Sequence, residues 1–189
     1  MSDTDTRQRE VAAFLADPAT WEGAPVERVE THGAFVFLAG DRACKMKRAV
    51  RYPFLDYSTL ALREAACRRE LDLNRRTAPQ IYLRVEPVVR RAGGGFAIGG
   101  EGEPLEWVLL MHRFPQDALL DAMARRGALT AAHAVRLGAV VSRFHAAAER
   151  AAADASWGGA AGIGAAVAGN RAALADAPDG FDPAVVADR

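Results

Sequence analysis

Apolar residues near the start of the chain recur at helical spacing, and the pattern then changes to that of strands. Val11, Phe14 and Leu15 occupy positions i, i+3 and i+4, which is typical of one buried face of a helix. An Asp-Pro pair at 17–18 ends this helix. Between 26 and 48 the pattern indicates strands, and it includes the β-branched and aromatic run FVFL.

The region that ends at Met111 predicts a mainly antiparallel sheet of about five strands. Gly40 and Asp41 form a two-residue hairpin signal, which leads into a strand that carries lysines. Apolar and polar residues alternate from Ile81 to Val89, as in a half-buried strand. Strands joined by hairpins need no crossover, so the sheet should be antiparallel.

One long helix interrupts these strands, and only helices follow them. Ser58 or Thr59 can cap the inserted helix, which should run to about Arg76. Half of the residues in 146–177 are alanine, which favours helix but buries little surface. The sequence therefore predicts an α+β fold in three segments: an N-terminal helical segment (1–25), a strand-rich lobe (26–115), and a partial helical lobe with an alanine-rich tail (116–189).

Composition and charge exclude several classes of function. Lysine plus arginine and aspartate plus glutamate balance at 24 each, so net charge favours neither nucleic acid nor an acidic membrane surface as a partner. No apolar stretch approaches the length of a membrane span. Two cysteines, Cys44 and Cys67, are too few for a disulfide framework and suit a reducing compartment. We expect a cytoplasmic protein.

Residues 31–70 contain, in order, the parts of a triphosphate clamp. The small-residue loop His32-Gly33-Ala34 would let backbone N–H groups approach phosphate oxygens. Lys45 or Lys47 would supply the cation for the phosphates, since residues two apart on a strand share one face. Glu70, on the inserted helix, would hold that cation in place.

Residues 29–150 resemble the N-terminal half of the aminoglycoside phosphotransferase-like kinases. They are most similar to a bacterial subgroup in which this domain is fused to a C-terminal P-loop ATPase domain. The matching stretches are THGAFVFL (31–38), KMKR (45–48), YPFLDYSTL (52–60), ELDLNRR (70–76), APQIYL (78–83) and MHRFP (111–115). The resemblance implies a kinase-like N-lobe followed by helices of an incomplete C-lobe.

The family's functional positions transfer to particular residues here. Glu70 falls where the inserted helix supplies the ion-pair glutamate, and Met111, His112 and Arg113 fall at the hinge whose backbone would bind adenine. Aligning KMKR with the family's strand end favours Lys47 as the phosphate lysine. Reading RACK (42–45) as the general kinase strand favours Lys45. Both remain open, with Lys47 preferred, and the implied cofactor is ATP.

The sequence departs from the family at the catalytic loop. Kinases of this kind place a catalytic Asp shortly after a His, followed by a metal-binding Asn and Asp. The last histidine here is His145, the last asparagine is Asn170, and no His-x-Asp follows. We therefore expect a phosphotransferase truncated before its catalytic loop, without catalytic residues or metal ligands, in which ATP binding is weak or absent and Mg²⁺ awaits the missing loop. Its acceptor would be an unidentified small molecule of the aminoglycoside type.

Two other classes of function compete with this interpretation. The chain could be a non-catalytic module that senses nucleotide or regulates a fused or partner P-loop ATPase domain. Alternatively, the arginine doublets, such as Arg68-Arg69 and Arg90-Arg91, could bind nucleic acid, which the neutral net charge disfavours.

Overall fold

A computed structural model describes residues 3–150 and 159–175 of the chain. The chain forms two compact units, Met1–Val135 and Arg136–Arg189. The predicted α+β class is confirmed, because an antiparallel sheet and several helices make up the described residues. None of the described helices has the length and apolar character needed to cross a membrane.

The main sheet has six strands rather than the predicted five or so. Its strands follow the spatial order β1-β2-β3-β8-β6-β7, and each neighbouring pair is antiparallel. A separate hairpin consists of β4 and β5. The strands are β1 Val26–Glu30, β2 Ala34–Ala39, β3 Arg42–Lys47, β4 Arg51–Tyr52, β5 Leu55–Asp56, β6 Tyr82–Arg90, β7 Phe96–Ile98 and β8 Pro104–His112.

Five helices are described, and the first two pack on the sheet. Their bounds are α1 Asp3–Ala16, α2 Leu60–Arg75, α3 Leu120–Arg125, α4 Ala131–Ala147 and α5 Ala160–Ala175. The Thr59 hydroxyl caps α2 by accepting a hydrogen bond from the Leu62 N–H at 3.2 Å. Of the two predicted caps, Ser58 and Thr59, the second is therefore confirmed. A 3₁₀ turn at Gln116–Ala118 precedes the short helix α3.

The sheet buries one face against α1 and presents the other to α2. Because successive side chains of a strand point to opposite faces, Cys44 and Met46 of β3 enter the core beneath α1, whereas Lys45 and Lys47 face α2. The core is apolar and includes Val11, Leu15, Trp21, Phe37, Met46 and Val108. Helix α1, from the predicted N-terminal segment, therefore completes the same core as the sheet.

This packing predicts that Leu15→Ala destabilises the fold. Leu15 is fully buried, and removing such a side chain costs about 2–5 kcal/mol of unfolding free energy. Leu73→Ala is the matched control, because Leu73 lies on α2 and is 47% exposed, so its loss should cost about 0.5 kcal/mol. Urea denaturation followed by circular dichroism measures both. Equal losses in the two variants would show that α1 does not pack on the sheet in solution.

Candidate functional site

Three charged side chains meet between β3 and α2. The Nζ atom of Lys45 donates to Oε1 of Glu70 at 2.8 Å, and the Nζ atom of Lys47 donates to Oε2 of the same carboxylate. The predicted contact between Glu70 and the lysine strand is confirmed, and both lysines make it. We call Lys45, Glu70 and Lys47 the lysine–glutamate cluster.

Burial differs sharply within this cluster. The side chain of Lys47 is 6% exposed and that of Glu70 is 16% exposed, whereas that of Lys45 is 27% exposed. The ammonium group of Lys47 also lies 5.2 Å from the centre of the Tyr57 ring, a favourable cation–π distance. Lys45 is therefore the more accessible of the two lysine side chains.

The charges of this cluster stabilise one another against burial. Desolvation opposes the charged form of Lys47, but the hydrogen bond and charge of Glu70 outweigh it, so the pKa of Lys47 is raised. Desolvation likewise disfavours the Glu70 carboxylate, but its hydrogen bonds to the two lysines dominate and lower its pKa. Two lysines and one glutamate give the cluster one more formal positive than negative charge.

The distribution of lysine along the sequence singles out this cluster independently of any motif. Lys45 and Lys47 are the only lysines of the chain, and the other 22 of its 24 lysine and arginine residues are arginines. Lysine presents a compact ammonium charge, whereas arginine presents a planar, forked guanidinium group. The two groups therefore cannot make the same contacts. The residue type alone could therefore have marked β3 as chemically distinct.

The loop at 31–33 lies beside the Lys47 end of the cluster, because Ala34 and Lys47 are register partners in β2 and β3. The loop is closed by Thr31, whose hydroxyl accepts from the Ala34 N–H at 3.1 Å. The Gly33 carbonyl accepts from the Arg48 N–H at 3.0 Å. A Cβ atom at Gly33 would lie 3.3 Å from Cδ2 of Leu55, so the β4–β5 hairpin packs closely on the loop.

His32 joins an aromatic group at the tip of this hairpin. Its ring lies edge-on to Tyr52, with 6.2 Å between centroids, and Tyr52 stacks on Phe54 at 5.7 Å. The structure therefore places His32 against aromatic rings, and the Ala34 N–H against the Thr31 hydroxyl. At Gly33, an added Cβ atom would make a tight contact with Leu55, which favours a small residue there.

The predicted hinge residues extend the sheet. Met111 and His112 are the last residues of β8, so two of the three predicted hinge residues belong to a strand. The His112 N–H donates to the Ile81 carbonyl at 2.9 Å, and the Arg113 N–H donates to the Asp41 carbonyl at 2.7 Å. Neither amide is free to bind a base in this conformation. Met111 pairs with Ala43 across the strands, on the face that carries Lys45.

A buried polar network adjoins the cluster, and none of the sequence motifs described above predicts it. Gln8 of α1, Arg63 of α2 and Glu106 of β8 are each at most 9% exposed and are joined by hydrogen bonds. The available signal was Glu106 itself, a carboxylate in a stretch, residues 104–111, whose other side chains are all apolar. An isolated acid in such a strand requires a buried partner.

Other candidate features lie apart from the cluster. A concavity of about 730 Å³ opens between α1, the 3₁₀ turn Pro18–Trp21 and strands β6–β8; none of Lys45, Lys47 and Glu70 lines it. Within residues 3–150 and 159–175, no group of three or more His, Cys, Asp or Glu side chains is arranged to bind a metal ion. Cys67 is buried, and desolvation raises the pKa of its thiol to about 11, which disfavours the reactive thiolate.

The pKa shifts predict how the cluster contributes to stability across pH. Because the pKa of Glu70 is lowered on folding, its stabilisation is present above its ordinary value of 4.5 and is lost as pH falls through the folded-state value. Lys47 has a raised pKa, so its contribution persists below 10.5 and is lost as pH rises through the folded-state value. Glu70→Gln should therefore lower the unfolding free energy by roughly 2 kcal/mol at neutral pH.

Urea denaturation of the wild type and Glu70→Gln from neutral pH to roughly pH 3 measures this difference, which should shrink toward the acid end. Glu64→Gln is the matched control, because Glu64 lies on the same helix and pairs with the 55%-exposed Arg68 side chain. A surface pair of this kind contributes about 0.5 kcal/mol or less. A Glu70→Gln effect that is no larger than the control, or that does not depend on pH, would contradict the assignment.

Comparisons with known proteins identify relatives but no activity. No family model matches the chain, and no solved structure matches it significantly. The chain is 38% identical over 121 residues to uncharacterized proteins of Mycobacterium bovis and of two strains of Mycobacterium tuberculosis. These alignments cover 64% of this chain and 22% of each relative. The chain therefore spans about a fifth of the length of the curated relatives it matches.

Proposed function

We propose that residues 26–115 form the ATP-binding lobe of a kinase-like phosphotransferase that acts on a small hydroxyl-bearing molecule. The observation that carries this proposal is the carboxylate of Glu70, on the inserted helix, held between two lysines of a central strand. Kinases use such a pair to fix the ammonium group that binds the α- and β-phosphates. The excess positive charge of the cluster favours an anionic ligand.

The order of parts supports the same proposal. The loop at 31–33 connects β1 and β2, the lysines follow on β3, and the glutamate lies on the helix inserted between β3 and β6. Strand β8, which ends at the proposed hinge, lies next to β3 in the sheet. A nucleotide bound along this face would extend from Met111, past Lys45, toward the loop.

Lys45 is the better candidate for the phosphate contact, which reverses the preference drawn from the sequence. Its side chain is more exposed than that of Lys47, whose ammonium group lies between Glu70 and the Tyr57 ring. In this assignment Glu70 orients Lys45 for the phosphates. Lys47 holds the second oxygen of the same carboxylate, so that Glu70 cannot rotate away.

The phosphate end of the proposed ATP site suits the nucleotide better than the end that would hold the base. At the phosphate end, an accessible cation lies beside small residues, Ala34 and Ala43, on the same face of the sheet. At the base end, the amides of His112 and Arg113 already donate to protein carbonyls. We therefore expect phosphate contacts, rather than contacts with the base, to provide most of the affinity.

This assignment predicts separate effects for the two lysines. Lys45→Ala should weaken ATP binding about tenfold or more, since it removes a charge-assisted phosphate contact. Lys47→Ala should reduce the unfolding free energy more and the ATP affinity less, because that ammonium group is buried. Isothermal titration calorimetry of both variants with ATP, ADP and adenosine, with and without Mg²⁺, measures this difference.

Arg69→Ala is the control for the loss of a cation, because Arg69 is exposed and lies next to Glu70 on α2. Its ATP affinity should equal that of the wild type. If adenosine binds as tightly as ADP, or if Lys45→Ala binds ATP as well as Arg69→Ala does, the phosphate assignment is wrong.

The chain itself should not turn over ATP. Transfer requires a base for the acceptor hydroxyl and metal-held phosphates, and the sequence has no His-x-Asp after the lysine strand. The alternative function, a nucleotide-sensing or regulatory module for an ATPase domain, shares this expectation for the isolated chain. A Mg²⁺-dependent ATPase assay with an aminoglycoside panel tests it. Turnover abolished in a Lys45→Ala/Lys47→Ala variant would reveal a catalytic site within this chain.

A further inference from the structure

Gln8 joins α1 to the end of the lysine strand. Its side-chain Nε2 donates to the Lys47 carbonyl at 2.9 Å and to Oε2 of Glu106 at 2.7 Å, and its Oε1 accepts from the Ala49 N–H at 2.9 Å. One amide therefore fixes the backbone on both sides of Arg48. It also reaches a fully buried carboxylate of the neighbouring strand β8.

Glu106 transmits this contact to the inserted helix. Both of its carboxylate oxygens accept from Nε of Arg63 at 2.9 Å, and Oε1 also accepts from the Trp107 N–H at 3.0 Å. Nη1 of Arg63 donates to the carbonyls of Tyr57 and Ser58, at 2.9 and 3.3 Å. The guanidinium group thereby ties the first turn of α2, and the segment before it, to the centre of the sheet.

The network holds both partners of the lysine–glutamate cluster. Arg63 and Glu70 are seven residues apart, about two helical turns, and so share one face of α2. Gln8 binds the carbonyl of Lys47, whose ammonium group binds Glu70. The rotation of α2 and the position of the β3 end are therefore set by the same three buried side chains.

The residue types of the network indicate that it orients α2 more than it stabilises the fold. A buried ion pair loses hydration that its mutual attraction often fails to recover, and apolar replacements of similar volume are frequently as stable. Hydrogen bonds are directional, however, and an apolar contact would allow α2 to slide or rotate against the sheet. We propose that Gln8, Glu106 and Arg63 are positioning residues that orient Glu70 toward Lys45 and Lys47. Their effect on nucleotide binding rests on the proposed function.

The chain offers a direct spectroscopic readout of this positioning, because Lys45 and Lys47 are its only lysines. Selective ¹³C and ¹⁵N labelling of lysine gives two side-chain Cε–Nζ signals, which Lys45→Arg and Lys47→Arg variants assign. Their chemical shifts report the contact with Glu70 without any nucleotide. ATP affinity, measured by calorimetry on the same samples, is the second readout.

Two variants interrupt the network in different ways. Gln8→Ala removes the bonds from α1, and the double variant Arg63→Met/Glu106→Leu replaces the ion pair by apolar side chains and should remain folded. We expect both to shift the Lys47 signal toward that of a solvated lysine. Where the wild type binds ATP, both should also weaken binding by roughly threefold to thirtyfold.

Val11→Ala is the control, because Val11 is fully buried on the same helix and makes none of these hydrogen bonds. It should lower stability while leaving the lysine signals in place. Unchanged lysine signals in the folded double variant, or an equal shift in Val11→Ala, would overturn the positioning role. Shifted signals in a protein that does not bind ATP would support the positioning role and reject the nucleotide site, so the two failures are distinguishable.

Discussion

The arrangement of the site depends on one carboxylate that two ammonium groups share. Glu70 has to leave water to reach β3, and a buried carboxylate is costly unless it is paired and hydrogen-bonded. Lys45 and Lys47 supply a charge-assisted bond to each of its oxygens. This contact joins a helix to a strand 23 to 25 residues earlier in the sequence, and it leaves the cluster with a formal charge of one positive unit.

The sheet separates two kinds of interior. On the α1 side, the side chains of β3 enter an apolar core. The hydrophobic contacts in this core are non-directional and do not define one helix rotation. On the α2 side, the same strand presents ammonium groups whose hydrogen bonds require a defined helix rotation. The network of Gln8, Glu106 and Arg63 connects the two sides, since it begins on α1 and ends on α2. Helix α1 thus contributes both to the core and to the geometry of the site.

The accessible and the enclosed lysine suggest a division of labour within the proposed ATP lobe. When a lysine binds phosphates, its bond to the carboxylate beside it weakens. A second, buried lysine on the same carboxylate then keeps that carboxylate in position. Lys47 is that partner, enclosed by Glu70 and Tyr57.

The sequence by itself determined the α+β class, the inserted helix and the antiparallel pairing of β2 with β3. The two-residue hairpin at 40–41, the Thr59 cap and the alternation of β6 are local signals, and local signals depend on neighbouring residues alone. The order of the lysine strand and the inserted helix also predicted the contact between Glu70 and the lysines. The accessible lysine, the occupied amides of His112 and Arg113, and the buried Gln8–Glu106–Arg63 network were decided only by the tertiary structure. Burial and hydrogen-bond partners depend on residues up to 98 positions apart, which no local pattern in the sequence specifies.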